Sequence, residues 1–380
     1  MTAMSATRPM RDRIATHILF LGNGLVFGTW AANLPRIKEA KALSDANLGV
    51  LLFLVSVGAV AAMPGTGILA ARWGAARLSA MAGLCAGVAI CLPSLIPTGP
   101  VLLASAALMG VMLGSMDVAM NAHASAVEIA WGKPIMSSFH AFWSLGGLAG
   151  SGLAGLCAAL GLALVPSYIV PGVIVAACSV PALFLARLSP RGGGARLALP
   201  GRLVLGVSLM TGLCFAVEGG AAEWTGVYLR IDLHTGEDVA ATAFGAFSLA
   251  MAAGRLTGDA VVRRFGAMQV AVVGCLVAAV GQGLVLLASG PLLVSAGMAL
   301  IGAGMANVVP VAFSAAGRLQ GPQGVAAAAT TGYAGLLVAP PLLGGVAEYF
   351  GLPAALAVVL ASLLVLAAMS ATLRGLKPAN

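Results

Sequence analysis

Long apolar stretches recur from one end of the chain to the other, separated by short polar turns. Each is about 20 residues, enough to cross a hydrocarbon core of roughly 30 Å as a helix. Twelve spans can be drawn, at 14–34, 46–70, 78–96, 101–127, 138–160, 168–187, 202–229, 240–258, 268–288, 292–315, 324–347 and 353–373. Proline and glycine punctuate the turns, as in PTGP (Pro97–Pro100), SGP (Ser289–Pro291) and GPQG (Gly321–Gly324). The short alternating strands of a membrane barrel are absent. The pattern predicts an all-α membrane protein with twelve transmembrane helices, since a helix satisfies its own backbone in lipid. Composition agrees. Of the 380 residues 60% are hydrophobic and 8% charged, with a mean hydropathy of +1.02. A soluble domain carries about 25% charged residues.

The first span follows a basic start, RPMRDR, and so resembles a secretory signal peptide. Its full span length, and a retained partner later in the chain, predict that it stays. With the N-terminus placed in the cytoplasm, the 20 Lys and Arg residues fall on the tails, inner turns and central loop, except Arg36, Lys38, Lys41 and Arg230. Arg255 is counted here among the inner turns. This bias predicts that both termini are cytoplasmic. It also accounts for the +8 net charge through anionic lipid, with no nucleic acid partner. The six cysteines all lie in spans without metal-ligand spacing and read as small packing residues. No metal or cofactor is expected.

The chain repeats itself. WAANLPRI (Trp30–Ile37) returns as WTGVYLRI (Trp224–Ile231) at an offset of 194 residues. RWGA (Arg72–Ala75) returns as RFGA (Arg264–Ala267) at 192, and GSMDV (Gly114–Val118) as GMANV (Gly304–Val308) at 190. Trp143 and Gly155 match Tyr333 and Gly345, again at 190. Two six-span bundles are expected, 1–187 and 204–380, joined by a cytoplasmic linker at 188–203. An even number of spans gives both copies the same topology, an arrangement that supports alternating access around a central site.

Twelve spans in two halves with a basic central loop resemble the major facilitator superfamily, over nearly the whole chain. That family's inner-loop pattern is visible in GILAARWGAAR (Gly67–Arg77), where Gly67, Arg72, Gly74 and Arg77 match and Ala71 replaces the usual aspartate. The second copy, GRLTGDAVVRRFG (Gly254–Gly266), keeps an acid, Asp259, at a shifted place, followed by Arg263 and Arg264. These six residues, Arg72, Gly74, Arg77, Asp259, Arg263 and Arg264, are the expected gating set. DVAMNAHASAVE, MSSFHAFWSLGGLAG and ANVVPVAFSAAG are similar to the fucose-permease-like branch of bacterial inner-membrane sugar transporters. The resemblance implies a monomeric, multi-pass transporter of the bacterial inner membrane.

Polar residues inside spans carry the candidate chemistry. At 100° per residue, Asn121, Ser125 and Glu128 lie about 40°, 80° and 20° from Asp117, so all four share one face of span 4. His123 points elsewhere, at about 240°. Span 7 holds Glu218 and Glu223, about 140° apart on an unbroken helix; Gly219 and Gly220 between them predict a kink or unwound turn. Acids and amides collect in spans 1, 4, 7 and 10, which in the family line the cavity. A charge facing lipid costs about 3 kcal/mol, so such groups turn inward. Asp117, Glu218 and Glu223 are the expected proton-coupling residues. Asn23, Asn33, Asn121 and Asn307 would hydrogen-bond a solute, and Trp30, Trp224 and Tyr333 would stack on it. Glu128 is expected at the inner rim, paired with Lys133 or an arginine. The Gly-x-x-x-Gly run of span 5 reads as close helix packing.

The function expected is proton-coupled import of a sugar-like or small polar organic compound. The alternative is a proton-driven exporter of amphipathic compounds. Span 5 lacks the proline of the family's antiporter motif, which favours import. No enzyme motif is present.

Overall fold

A computed structural model describes residues 7–43, 45–185, 201–235, 237–370 and 373. Most of the expected linker, 188–203, lies outside the described residues. So do Arg187, Arg191, Arg196, Arg374 and Lys377 of the charge argument.

The described residues are helical, without strands. The first six spans are α1 (Thr7–Ala40), α2 (Asp45–Trp73), α3 (Ala75–Ala89) with α4 (Leu92–Leu95), α5 (Pro100–Trp131), α6 (Met136–Ala159) and α7 (Leu164–Leu185). Pro93, in the first turn of α4, has no N–H to donate, and the third span is divided into α3 and α4 there. The second six are α8 (Arg202–Ile231), α9 (Glu237–Phe265), α10 (Ala267–Leu287), α11 (Pro291–Met305), α12 (Val308–Phe350) and α13 (Leu352–Met369). α12 joins the end of the tenth span to the whole of the eleventh. Its helical backbone fails at Gln320 and at Gly321, where φ is +57°. Ten stretches are long and apolar enough to cross a membrane, and one of them, Pro291–Phe350, contains two spans. α9 corresponds to the remaining expected span.

Two compact units are present. Unit 1 is Met1–Trp131, Phe139–Pro200 and Gly317–Ala329; unit 2 is Gly132–Ser138, Gly201–Ala316 and Thr330–Asn380. Each unit thus takes in one short segment from the other half of the sequence. The packing scheme is the same in both. In unit 1, α2 and α3 pack on α5, and α7 packs on α1 and α3; in unit 2, α9 and α10 pack on α11, and α13 packs on α8 and α10. The repeat extends to single residues. Gly74 and Gly266 precede α3 and α10 with φ of +90° and +83°, a left-handed conformation that a β-carbon disfavours.

Glycine also sets helix spacing. A β-carbon on Gly110 of α5 would strike the carbonyl of Val55 on α2, and one on Gly302 of α11 would strike that of Phe247 on α9. The two contacts repeat at an offset of 192. Gly146 and Gly150 of α6 meet the backbone of α1 at Leu21 and Leu25, and Gly24 and Gly28 of α1 meet Trp143 and Gly147 in return. Close packing without side chains is a membrane-helix device, because lipid supplies no hydrophobic drive between helices.

Two expectations are corrected. α8 runs unbroken through Gly219 and Gly220. The side chains of Leu336 and Leu343 stand where β-carbons on those glycines would go. The pair makes room for neighbours and leaves the helix wound. Arg255 is not in a turn. It lies inside α9, ten residues and about 15 Å of helix rise from the end at Phe265.

Candidate functional site

The polar face of α5 is continuous. Asn121, fully buried, donates through Nδ2 to the backbone oxygen of Asp117 at 3.0 Å and to its carboxylate at 3.3 Å. The Asn121 amide oxygen has no hydrogen-bond partner. One turn further, Ser125 packs against Gly317. At the end of the stripe Glu128 stands 4.0 Å from the guanidinium of Arg318. Asp117 itself is partly buried.

Within unit 1, α1 packs on α5 and α6 packs on α1. Trp143 on α6 donates through its indole N–H to the Asn23 amide oxygen at 2.9 Å. Trp30 is buried in the hydrophobic core, its ring edge-on to Tyr168 at 6.4 Å between centroids. Asn33 spends its amide locally. Its nitrogen bonds the Thr29 carbonyl, and its oxygen accepts from Arg36, which also reaches Ser167 and the Leu162 carbonyl. Sequence reasoning missed one buried pair. His123 Nε2 lies 3.6 Å from the Asp12 carboxylate, and both side chains are almost wholly buried. Asp12 sits among the basic residues of the N-terminal segment, where it reads as part of a charged tail.

In unit 2, Glu218 of α8 is partly buried, and Cys214 one turn back places its sulfur 3.7 Å from the carboxylate. Glu223 is exposed. The Trp224 ring lies against Gly344, and Tyr333 meets Phe215 at 5.9 Å between centroids. Asn307 falls between α11 and α12, at a break in the tenth span, whereas Asp117 at the equivalent place lies within a continuous helix. Asn307 donates through Nδ2 to the Gly254 carbonyl at 3.1 Å. From the other side, Arg255 Nε donates to the Ala306 carbonyl at 3.3 Å. These two bonds hold the break. A separate apolar cleft of about 410 Å³ opens between α8, α12 and α13, lined by Leu213, Val217, Val338, Leu342 and neighbours; none of the expected site residues lines it.

The expected gating residues differ in setting. Arg72 and Arg77 are exposed around Gly74, as are Arg263 and Arg264 beside Gly266; the Arg264 guanidinium rests on the Phe265 ring at 5.4 Å. Asp259 accepts a hydrogen bond from the backbone N–H of Ser138 at 2.9 Å, in the first turn of α6. A carboxylate there satisfies an orphan donor and faces the positive end of the helix dipole. Asp259→Ala is expected to cost about 1 kcal/mol, whereas Asp259→Asn, which keeps an acceptor, recovers most of it. Thermal unfolding of the two purified variants side by side checks this.

Repeated six-span units with acids and amides buried among apolar helices describe a membrane carrier. Residues 16–326 match the Major Facilitator Superfamily, and the chain belongs to it. It is 32% identical over 364 residues to an uncharacterized MFS-type transporter of Yersinia pestis, covering 94% of each chain. The membrane protein MosC of Rhizobium meliloti is 33% identical over 350 residues, 90% of this chain and 85% of that one. Among solved structures, the fucose transporter FucP in its outward conformation shares the fold at a TM-score of 0.77 and 16% identity, over 94% of this chain and 98% of that one. The proton:xylose symporter XylE does so at 0.71 and 15%, over 95% and 94%. The protein is therefore a multi-pass membrane transporter that moves a small solute by secondary transport, and not an enzyme.

Proposed function

We propose that the protein imports a sugar-like or small polar organic solute together with protons, as a monomer in a bacterial inner membrane with both termini cytoplasmic. The halves 1–187 and 204–380, joined by 188–203, are the two alternating-access bundles. The observation that carries this reading is the Asp117–Asn121 pair. An ionisable group and an amide with an unused acceptor, set deep in an apolar helix, are costly unless a pathway uses them. Asp117 and Glu218 take and release the coupling proton, with Glu223 at the exposed end. Asn23, Asn121 and Asn307 hold the solute, Trp224 and Tyr333 stack on it, and Trp30 and Asn33 support them. Arg72, Gly74, Arg77, Asp259, Arg263 and Arg264 serve the gate. The shared fold of the fucose and proton:xylose transporters supports this substrate class.

One observation favours the export of amphipathic compounds instead: the apolar cleft of unit 2 offers room for a hydrocarbon group. Thermal-shift screening of purified protein against sugars, polyols, small organic acids and amphipathic cations separates the two. A ligand at 100 times its Kd stabilises by about 2.7 kcal/mol. A polar solute is expected to stabilise the wild type, and Asp117→Asn as well, since the variant keeps the solute contacts. Stabilisation by amphipathic cations alone, equal in both proteins, overturns import.

A further inference from the structure

We propose that Trp143 is a positioning residue: it turns the Asn23 amide so that only N–H donors remain for the solute, which selects a solute oxygen that accepts. This rests on the reading of Asn23 as a solute contact and names the chemistry of that contact. Asn23 lies near the middle of the span Met10–Leu34, the depth at which carriers built from repeated bundles hold their substrates. The Trp143 indole N–H reaches the Asn23 amide oxygen at 2.9 Å. An indole nitrogen donates and never accepts, so the atom facing it must be the oxygen, and the amide has one orientation. Nδ2 then points away from the indole with two hydrogens to give. It has no acceptor among the described residues, although the side chain is only 6% exposed. A buried amide nitrogen without a partner is uncommon, and it costs free energy unless something else completes it.

The backbone builds this contact. A β-carbon on Gly24 would strike the Trp143 carbonyl, and one on Gly28 would strike that of Gly147, so α1 and α6 approach to backbone contact beside the pair. Ser151 adds a bond to the Gly28 carbonyl at 3.2 Å. Helix packing therefore sets the place of the indole, and the amide follows the ring. Trp143 also meets Phe27, one turn beyond Asn23, at 5.3 Å between centroids with the planes tilted by 39°. Phe27 is exposed. The amide donors thus adjoin an aromatic surface. A sugar ring answers both, with C–H faces for the aromatic side and oxygens along its edge. A hydrocarbon group would leave the donors unpaired.

The second copy lacks this device. Tyr333, the counterpart of Trp143 in the repeat, meets the Phe215 ring at 5.9 Å, and α8 carries neither Asn nor Gln. Donor selection of this kind is therefore a property of unit 1.

Ligand titration of the purified full-length protein tests this. Hexoses, pentoses and polyols are screened by thermal shift. The strongest binder is then compared with analogues in which each hydroxyl in turn is replaced by fluorine, which keeps a weak acceptor, or by hydrogen, which keeps none. In the wild type, one position should bind its fluoro form more tightly than its deoxy form by about threefold. Trp143→Phe keeps a ring and removes the N–H. It should weaken the parent compound by about tenfold and erase the fluorine preference, because the amide is then free to turn. In an Asn23→Ala background the same substitution should change nothing further, whereas a general packing role would add to the loss. Wild-type affinity and fluorine preference in Trp143→Phe overturn the proposal, and so does an additive loss in the double variant. If Trp143→Phe does not fold, Asn23→Ala decides, and a retained fluorine preference there overturns the proposal. In each of these cases a sugar or polyol still binds, and the import reading stands. If none stabilises the wild type, the proposal falls together with the sugar-like substrate class.

Discussion

Asp117→Asn will abolish uptake driven by a proton gradient in proteoliposomes and leave solute exchange without a gradient largely intact. The asparagine keeps the size of the side chain and an oxygen for Asn121 Nδ2, which now bonds both the backbone and the carboxylate of Asp117. What it loses is the ability to bind and release a proton. Without a group that binds the proton, the gradient no longer drives the cycle, so concentrative uptake should fall to the leak of protein-free vesicles. Equilibrium exchange needs solute contacts and the conformational cycle only. Loss of both activities together would instead assign Asp117 a part in solute contact or packing. Wild-type concentrative uptake in the variant would remove it from proton coupling.

Gly110→Val and Gly302→Val will each destabilise the protein by about 3 kcal/mol, at the upper end for overpacking, because the obstacle is backbone. A β-carbon at either place meets a carbonyl of the facing helix, Val55 or Phe247, so no rotamer change can make room. The helices must move apart, losing contact along their length. The unfolding midpoint should fall by about 6–12 °C. Gly65→Ala is the control: it lies in α2 with nothing within 4 Å of an added β-carbon, and it should be neutral or mildly stabilising, by about 0.5–1 kcal/mol. Equal behaviour of Gly110→Val and Gly65→Ala would mean that the α2–α5 contact has slack.

The helices and the repeat were legible in the sequence because both rest on one-dimensional signals. Span length follows from bilayer thickness, and the two copies keep Gly74 and Gly266, with Arg72 and Arg264, in register. The stripe from Asp117 to Glu128 was legible for the same reason, since helical phase is fixed by counting. Arg318 as the partner of Glu128 was beyond reach, because the pairing spans 190 residues. Arg255 was misplaced because it falls near the basic cluster at the end of α9, and charge counting cannot tell a buried arginine from one in a turn. The glycine pair beside Glu218 misled for a related reason. Glycine permits unwinding, but it equally permits a leucine to approach, and only the neighbours decide which.

The exchange of short segments between the units has a consequence for biogenesis. Unit 1 includes Gly317–Ala329, and unit 2 includes Gly132–Ser138. Synthesis proceeds from the N-terminus, so the first six helices enter the bilayer with one of their packing partners still untranslated. Ser125 and Glu128 meet Gly317 and Arg318 only after most of the chain has left the ribosome. The first half is thus inserted early and completed late. A nascent chain stopped before Gly317 holds a bundle whose polar stripe has yet to be covered at Ser125 and Glu128.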